Sequence, residues 1–207
     1  MIKKLKVALF ALCLPMMAFA TDFEDGKHYN TLSVEKSKTA KVTEFFSFYC
    51  PHCFRFEPVA IALEKSLPEG AVFEKSHVNF LGGLPSDVQS NLSYAYIIAK
   101  QHGKEHEVAQ QLFNAIHTQH IRFTDMKDLK ALMVANGISE PEYDAALVSM
   151  PVLAAEKAMV EAQEKYSKIN ALTGVPTFIV NDKYKLNTSA LKSQEELHEL
   201  VAYLLKK

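Results

Sequence analysis

The sequence predicts an α/β protein in which an inserted helical domain interrupts a small sheet domain. Runs rich in β-branched and aromatic residues, typical of strands, lie before Gly82 and after Gly174. The roughly 90 residues between these glycines contain many helix start and stop signals and no convincing strand. A strand, helix, strand unit precedes this interval, and two short strands and a final helix follow it.

Composition narrows the class of protein. The chain has 207 residues, of which 48% are hydrophobic and 23% are charged, the balance of an ordinary globular protein. Its 7 glycines and 8 prolines follow no period, which excludes collagen-like or low-complexity sequence. After residue 20 the chain has 20 basic and 24 acidic side chains, a net charge of -4, so nucleic acid is not the expected partner.

The first 20 residues have the pattern of a cleaved secretory signal. A basic start at 1–6 precedes an apolar run at 7–17 and the small-x-small sequence Ala-Phe-Ala at 18–20. The apolar run is shorter than the roughly 20 residues that span a bilayer, which argues against the alternative of a retained membrane anchor. We therefore predict export, and residues 1–20 as a signal peptide that carries Cys13 away.

Residues 21–83 are predicted to form the first part of the sheet domain. Lys41 to Tyr49 has apolar residues on both faces, as in a central strand that is covered on both sides. A helical pattern begins at Pro51, passes Pro58, which should kink it, and stops near Pro68. Ala71 to Phe80 is the next predicted strand, and we expect it to pair parallel to the first through a right-handed connection.

Residues 84–170 are predicted to be the inserted helical domain, and 171–207 the second part of the sheet domain. The helix signals of the insertion are a capping box at Ser86 and Gln89, a run from Thr124 to Gly137, a capping box at Ser139 and Glu142, and an amphipathic stretch from Val152 to Ile169. The second part has strands at 177–180 and 184–186, a turn at 181–183, and a final helix capped by Ser193 and Glu196.

The sequence Cys50-Pro51-His52-Cys53 lies where the first strand ends and the helix begins. At a helix N-terminus, unpaired amides and the macrodipole stabilise an anion, so the Cys50 thiol should be acidic. Cys53 should be the buried resolving partner one turn inside. Pro51 suits the first helical turn, and His52 can stabilise the Cys50 thiolate by a hydrogen bond or by charge.

The acidity of Cys50 decides the direction of the redox couple. A pKa of about 4 would stabilise the reduced form by roughly 4 kcal/mol at pH 7 relative to a thiol of pKa ~8.5. That energy raises the reduction potential by roughly 90 mV. The pair is then an oxidant: a substrate thiolate attacks Cys50, and a mixed disulfide forms.

Two other readings of the cysteine pair stay open. It could be half of a zinc site completed by His77 or by the pairs His102/His106 and His117/His120. It could also be a structural disulfide, although so short a loop stabilises little. We expect neither a metal nor a cofactor, and we expect the histidines other than His52 to be surface or capping residues.

Two further features are candidates for the site. Glu44 is the only charge inside the apolar run, and Lys75 lies in the neighbouring predicted strand. A buried carboxylate would have a raised pKa and could take the proton that Cys53 must lose, although a plain ion pair or an edge position is the alternative. Val175-Pro176 suits a cis peptide bond in a turn that faces the cysteines and offers a backbone edge to a substrate peptide.

Several segments of the chain resemble the DsbA family of periplasmic thiol:disulfide interchange proteins, whose thioredoxin fold is interrupted by a helical domain. These segments are FEDGK at 23–27, EFFSFYCPHC at 44–53, HVNFLGG at 77–83, EYDAA at 142–146 and the Gly-Val-Pro region at 174–187. Members of the DsbA family are themselves reference examples of acidic cysteines and oxidising couples.

The resemblance implies a function for each candidate residue. Cys50 is expected to be the nucleophile, Cys53 the resolving thiol and His52 the thiolate stabiliser. Glu44 and Lys75 are expected to form a buried proton-handling pair. The substrate is expected to contact Pro51 and the cis-proline loop, which consists of Val175 and Pro176.

The resemblance also implies partners. We expect reduced, unfolded exported polypeptides as substrates, reoxidation by the membrane quinone-linked oxidase DsbB, a periplasmic location and a monomer. The chain departs from well-known members in having no tryptophan and a short segment at 187–193, which bears on the shape of the peptide groove. The rival functions are a peptide-binding chaperone, a glutathione-dependent transferase, and a disulfide isomerase or reductase.

Overall fold

The computed structural model describes residues 22–207. The predicted signal peptide and Cys13 lie outside the described residues. The strands are β1 (Tyr29–Thr31), β2 (Lys41–Phe46), β3 (Val72–His77), β4 (Thr177–Val180) and β5 (Tyr184–Leu186). The α-helices are α1 (Pro51–Ser66), α2 (Ser86–Gln101), α3 (Glu105–His117), α4 (Met126–Ala135), α5 (Glu140–Leu147), α6 (Met150–Lys168) and α7 (Gln194–Lys206).

The five strands form one mixed sheet in the order β1-β5-β4-β2-β3. β2 and β3 pair in parallel through α1, as predicted, and the other neighbours are antiparallel. The turn between β4 and β5 has positive φ at Asn181 (51°) and Asp182 (60°). Asparagine and aspartate tolerate this left-handed conformation in tight hairpins, so local sequence accounts for the turn.

The central strand β2 is covered on both faces. Val42 packs with Leu63 of α1 and Leu200 of α7 in one buried cluster, whereas Phe45 packs with Tyr166 of α6 in another. Successive side chains of a strand point to opposite faces. This alternation places Glu44 on the same face as Val42, under α1.

A third apolar cluster joins the carboxyl end of β2 to helices α2 to α5. Phe46, Phe48 and Cys53 belong to it, together with Leu112 and Phe113 of α3. Helices α2 to α5 therefore pack around the end of the sheet from which the cysteine motif leaves.

The helix signals had mixed outcomes. The capping box at Ser86 and Gln89 is wrong: Ser86 is the first helical residue, and the N-cap is Pro85, which makes no side-chain cap. The Gln89 side chain instead donates to the backbone oxygens of Leu81 and Leu84, at 2.8 and 3.0 Å. Gln89 is buried. Its side chain satisfies the backbone oxygens of the loop before α2 and is therefore not free to cap the helix.

The two later caps are confirmed. Ser139 and Glu142 form a reciprocal capping box at the start of α5. The Ser193 hydroxyl accepts from the backbone N–H of Glu196 at 3.2 Å, at the start of α7. In both places the cap is exposed and local, so the pattern in the sequence is sufficient to form it.

One strand, β1, and one α-helix, α3, were not predicted. β1 has three residues, too few for a periodic pattern, and it forms because its backbone pairs with β5. α3 carries an apolar face that includes Val108, Leu112 and Phe113. No side-chain cap marks its start at Lys104, so the sequence has no clear boundary signal there.

Candidate active site

The cysteine motif begins at the N-cap of α1. β2 ends at Phe46, and the backbone N–H of Cys50 then donates to Ser47 O at 3.1 Å, which closes a turn. Cys50 has extended backbone angles (φ -90°, ψ 112°), and Pro51 is the first residue of the helix. Pro51 has no N–H to leave unpaired at this position. The predicted place of Cys50, at the start of the helix, is confirmed.

The Cys50 sulfur is surrounded by groups that stabilise its anion. Both cysteines are free thiols in this structure, and the N–H of Cys53 donates to Cys50 Sγ at 3.2 Å. The pKa of Cys50 is lowered to about 6, chiefly by the hydrogen bond from the Cys53 thiol and then by the N–H groups of Cys53 and His52. The His52 charge adds a little, and partial burial opposes the fall.

The Cys53 sulfur has the opposite environment. It is fully buried, and burial together with its hydrogen bond to Cys50 raises the pKa of Cys53 far above that of an ordinary thiol. The hydrogen bond to Cys50 is the largest cause, and the charge of Glu44 adds to it. One helical turn thus carries an acidic sulfur at Cys50 and, at Cys53, a fully buried sulfur that holds its proton.

The second half of the sheet supplies the remaining side of the site. The Val175-Pro176 peptide bond is cis, as predicted. As a thiol, Cys50 donates to Val175 O at 3.3 Å. These residues directly precede β4, which pairs with β2, so sheet pairing brings together two segments that are 125 residues apart in the chain.

His52 is exposed on the first turn of α1. Its ring meets that of Phe56 edge to face, with centroids 6.4 Å apart. It affects the Cys50 thiol through its backbone N–H and, more weakly, through its charge.

A buried charge cluster, consisting of Glu44, Lys75 and Glu57, lies beneath the motif. The register of β2 and β3 pairs Glu44 with Lys75, and Lys75 Nζ lies 3.2 Å from Glu44 Oε2. Lys75 Nζ also forms an ion pair with Glu57 of α1. All three residues are buried. The structure thus places the predicted pair Glu44 and Lys75 together and adds Glu57.

The sequence did contain a signal for Glu57. It lies four residues after Cys53 in a helix, and positions i and i+4 share a face. Its charge faces the buried side of α1, where only a buried cation could neutralise it.

Glu44 is the group of this cluster closest to titration. Neither of its oxygens has a hydrogen-bond partner of good geometry among the described residues, although Lys75 is close. Burial raises the pKa of Glu44 to about 7, the positive charge of Lys75 opposes the rise, and the charge of Glu57 adds to it. This carboxyl group can therefore accept or release a proton near neutral pH.

Two histidines hold the backbone just before the motif, and one of them corrects a prediction. His77 is buried, not a surface or capping residue, and burial lowers its pKa to about 3, so the ring is neutral. Its Nε2 accepts the N–H of Phe48 at 3.2 Å, so Nδ1 carries the proton and donates to Ser93 Oγ at 2.8 Å. His117 Nε2 donates to Phe48 O at 2.8 Å.

The residue after Cys53 takes part in the same arrangement. The His117 ring stacks on that of Phe54, with centroids 5.1 Å apart and planes 12° apart. Both backbone groups of Phe48, two residues before Cys50, are therefore held by imidazoles from β3 and α3. Sequence alone could not show this, because the partners come from three separate elements.

The histidines do not assemble a metal site in the part of the chain that the structure describes. Within residues 22–207, no group of three or more His, Cys, Asp or Glu side chains could hold a metal ion. The helices of the same range also include none with the length and apolarity to cross a membrane.

Comparison with known proteins gives one consistent family. Residues 41–202 match the model of the DSBA-like thioredoxin domain. The chain is 38% identical over 215 aligned residues to the thiol:disulfide interchange protein DsbA of Escherichia coli, with 99% of each chain covered. It is 39% identical to DsbA of Dickeya dadantii, with 91% of this chain and 88% of the relative covered.

Solved structures give the same result. DsbA of Klebsiella pneumoniae superposes with a TM-score of 0.80 at 27% identity, covering 91% of this chain and all of the other. A variant of Proteus mirabilis DsbA, in complex with the non-covalently bound peptide PWATCDS, gives 0.78 at 30% identity, with 90% and 100% covered. The predicted fold class, a thioredoxin fold with an inserted helical domain, is confirmed.

Proposed function

Because the chain belongs to the family of DSBA-like thioredoxin-domain proteins and is a thiol:disulfide oxidoreductase, we propose that it works as a dithiol oxidase. In this proposal it donates its Cys50–Cys53 disulfide to reduced polypeptides. The observation that carries the direction is the difference between the two sulfurs: the pKa of Cys50 is about 6, whereas that of Cys53 is strongly raised. An anion that is stable at Cys50 favours the dithiol form and makes the disulfide oxidising.

The reaction proceeds through a mixed disulfide. A substrate thiolate attacks Cys50 Sγ, the Cys50–Cys53 bond breaks, and Cys53 leaves and takes up a proton. The second substrate thiolate then attacks the substrate sulfur that is bound to Cys50, and Cys50 leaves as a thiolate. One substrate disulfide forms and one protein disulfide is reduced. The low pKa of Cys50 makes it the better leaving group in the second step.

Reoxidation requires Cys53 to lose its proton. We propose that Glu44 accepts this proton, because its pKa lies near 7 and its charge acts directly on Cys53. Lys75 and Glu57 keep the remaining charges paired while the proton moves. The negative charge of Glu44 would otherwise be unpaired in the core, at a cost of several kcal/mol.

The substrate backbone is proposed to lie along the cis-proline loop. Val175 O already contacts Cys50 Sγ, so a peptide bonded to that sulfur passes the Val175 and Pro176 backbone and the exposed Pro51. An extended peptide can add to such an edge through main-chain hydrogen bonds. The peptide complex of the Proteus mirabilis relative supports this type of substrate.

Cellular partners and domain organisation follow from the same proposal. Residues 1–20 direct export to the periplasm, reduced exported polypeptides are the substrates, and the membrane quinone-linked oxidase DsbB restores the disulfide. The protein acts as a monomer. Residues 21–83 and 171–207 form the thioredoxin-like domain, and residues 84–170 form the inserted helical domain. The peptide complex of a DsbA relative supports polypeptide substrates.

The test is oxidation of a reduced peptide that contains two cysteines. The oxidised protein is expected to form the peptide disulfide stoichiometrically, and Cys50→Ser is expected to form none. Equilibration with glutathione should show a disulfide more easily reduced than that of a thioredoxin-type reductant, whose potential is about -270 mV. Unchanged oxidation by Cys50→Ser, or a potential at or below the reductant value, contradicts the proposal.

A further inference from the structure

A pocket that the proposed reaction does not use begins at the residue directly before the nucleophile. It has a volume of about 340 Å³ and is lined by Tyr49, the loop at 82–84, Ile116, and the segment 120–122. We name it the Tyr49–Arg122 pocket. Its walls come from the active-site turn, from the loop after β3, from α3 and from the segment between α3 and α4.

The pocket combines apolar walls with positive charge. Leu84, Ile116 and Ile121 supply the apolar surface, and His120 and Arg122 supply the basic groups. Arg122 is exposed, and within residues 22–207 no carboxylate lies within ion-pair distance of its guanidinium. Its charge nevertheless acts on the Tyr49 hydroxyl, where it opposes the rise in the pKa of Tyr49 caused by burial.

The backbone under Arg122 is well supported. Tyr49 donates its hydroxyl hydrogen to Phe123 O at 3.3 Å, and the Phe123 side chain is buried. The N–H of Ile121 donates to Ala115 O at 2.9 Å. Residues on both sides of Arg122 are thus tied to the core, which fixes the backbone at Arg122 beside the turn that carries Cys50.

We propose that the Tyr49–Arg122 pocket binds an acidic side chain of the same polypeptide that forms the mixed disulfide at Cys50. A guanidinium pairs with a carboxylate through two parallel hydrogen bonds, and the apolar walls suit the methylene groups of glutamate. The enzyme then prefers cysteines that have an aspartate or glutamate a short distance along the chain. This inference rests on the proposed function, since it assigns a substrate preference to the same site.

The test compares reduced two-cysteine peptides that differ only by a glutamate or a glutamine, moved along the peptide one position at a time. At one position of the glutamate, the wild-type protein should oxidise the glutamate peptide with a kcat/KM about fivefold higher than that for the glutamine peptide. This factor corresponds to the free energy of a favourable exposed ion pair. Arg122→Gln should abolish the preference, and Arg122→Glu should transfer it to a lysine peptide. High salt should weaken the preference.

Lys127→Gln is the matched control. Lys127 is an exposed cation five residues further along the chain that does not line the pocket, so its loss should leave the glutamate preference unchanged. Arg122 is exposed, so its variants should fold.

A binding measurement separates this inference from the proposed function. Cys50→Ser cannot form the mixed disulfide, so calorimetry with this variant measures only non-covalent affinity for the two peptides. Tighter binding of the glutamate peptide, lost in the double variant with Arg122→Gln, supports the pocket even if no peptide is oxidised. Equal affinity and equal kcat/KM at every position overturn it.

Discussion

The first turn of α1 stabilises a negative charge, whereas the charge cluster beneath it destabilises one. At the first turn, Cys50 receives hydrogen bonds from the Cys53 thiol and from backbone amides, and its pKa falls to about 6. In the cluster, Glu44 is fully buried with poorly placed partners, and its pKa rises to about 7. Hydrogen-bond donors to the anion therefore decide the first case, and loss of water decides the second.

This difference assigns the chemistry to the two sulfurs. At pH 7 a thiol of pKa about 6 is roughly nine-tenths ionised, which stabilises the reduced form by about 1.4 kcal/mol and raises the reduction potential by about 30 mV. The sequence predicted the direction, but its assumed pKa of about 4 corresponds to roughly 90 mV. The structure therefore supports an oxidising disulfide, as predicted, but with a smaller rise in the reduction potential.

Removing the resolving sulfur should have the largest effect. Cys53→Ala is expected to abolish oxidation of a reduced two-cysteine peptide, because no Cys50–Cys53 disulfide can form, and mass spectrometry should find the peptide still reduced. Because the Cys53 thiol is the largest cause of the low Cys50 pKa, that pKa should rise towards the ordinary value of about 8.5, as measured by thiolate absorbance.

Cys53→Ser is the control for this prediction. A serine hydroxyl can donate to the Cys50 sulfur but cannot form a disulfide with it. Cys53→Ser should lose oxidation as completely as Cys53→Ala does, whereas its Cys50 pKa should stay low. Equal Cys50 pKa values in the two variants would show that the Cys53 hydrogen bond does not stabilise the thiolate.

Removing the cation of the charge cluster should have the next largest effect. Lys75→Met leaves Glu44 and Glu57 buried without their partner, so the free energy of unfolding should fall by about 3 to 5 kcal/mol at pH 7.5. Urea unfolding of the reduced protein measures this change. In Lys157→Met, which breaks the exposed pair with Glu161, stability should not change measurably, and a similar loss in both variants contradicts the prediction.

The titration of Glu44 should produce a pH dependence of stability with a definite sign. Its pKa is raised from 4.5 to about 7 in the folded protein, so its contribution is fully present below pH 4.5 and is lost as the pH rises through 7. The corresponding loss is up to about 3 kcal/mol. Glu44→Gln should remove this slope, because an amide does not titrate.

The variant should therefore match the wild type near pH 4 and be more stable at pH 8, in contrast to Lys75→Met. Lys75 keeps Glu57 as a partner in Glu44→Gln, so the substitution leaves no unpaired cation. Unfolding curves of the reduced proteins across this pH range provide the measurement. A variant that is less stable than the wild type at pH 8 would show that Glu44 is ionised and favourably paired.

The smallest effect is expected from His52. Its charge is the weakest of the causes that lower the Cys50 pKa, and its backbone N–H remains when the side chain changes. His52→Leu should therefore raise the Cys50 pKa by about one pH unit or less, clearly below the rise in Cys53→Ala. Thiolate absorbance of both variants in the same buffer measures the two Cys50 pKa values. A larger rise in His52→Leu than in Cys53→Ala would contradict the prediction.

Local sequence patterns were sufficient for the central strand, for the helix that follows it and for the exposed helix caps. The strand at Lys41–Phe46, the helix that follows it and the cap at Ser139 agree with their patterns. The three-residue strand β1 exists through pairing with β5, and Gln89 bonds to the loop before α2 instead of capping the helix. In these cases contacts with residues outside the element outweigh the preference of the local sequence.

The sequence by itself determined where the two cysteines lie and which of them begins a helix, and it favoured a cis turn at Val175-Pro176. These features depend on short-range sterics and on hydrogen bonds within a few residues. Only the tertiary structure decided that Glu57 joins Glu44 and Lys75, and that His77 and His117 hold the turn before Cys50. Burial and long-range pairing set the energy of a charged or polar group, and these depend on sheet register and helix docking, which no local pattern specifies.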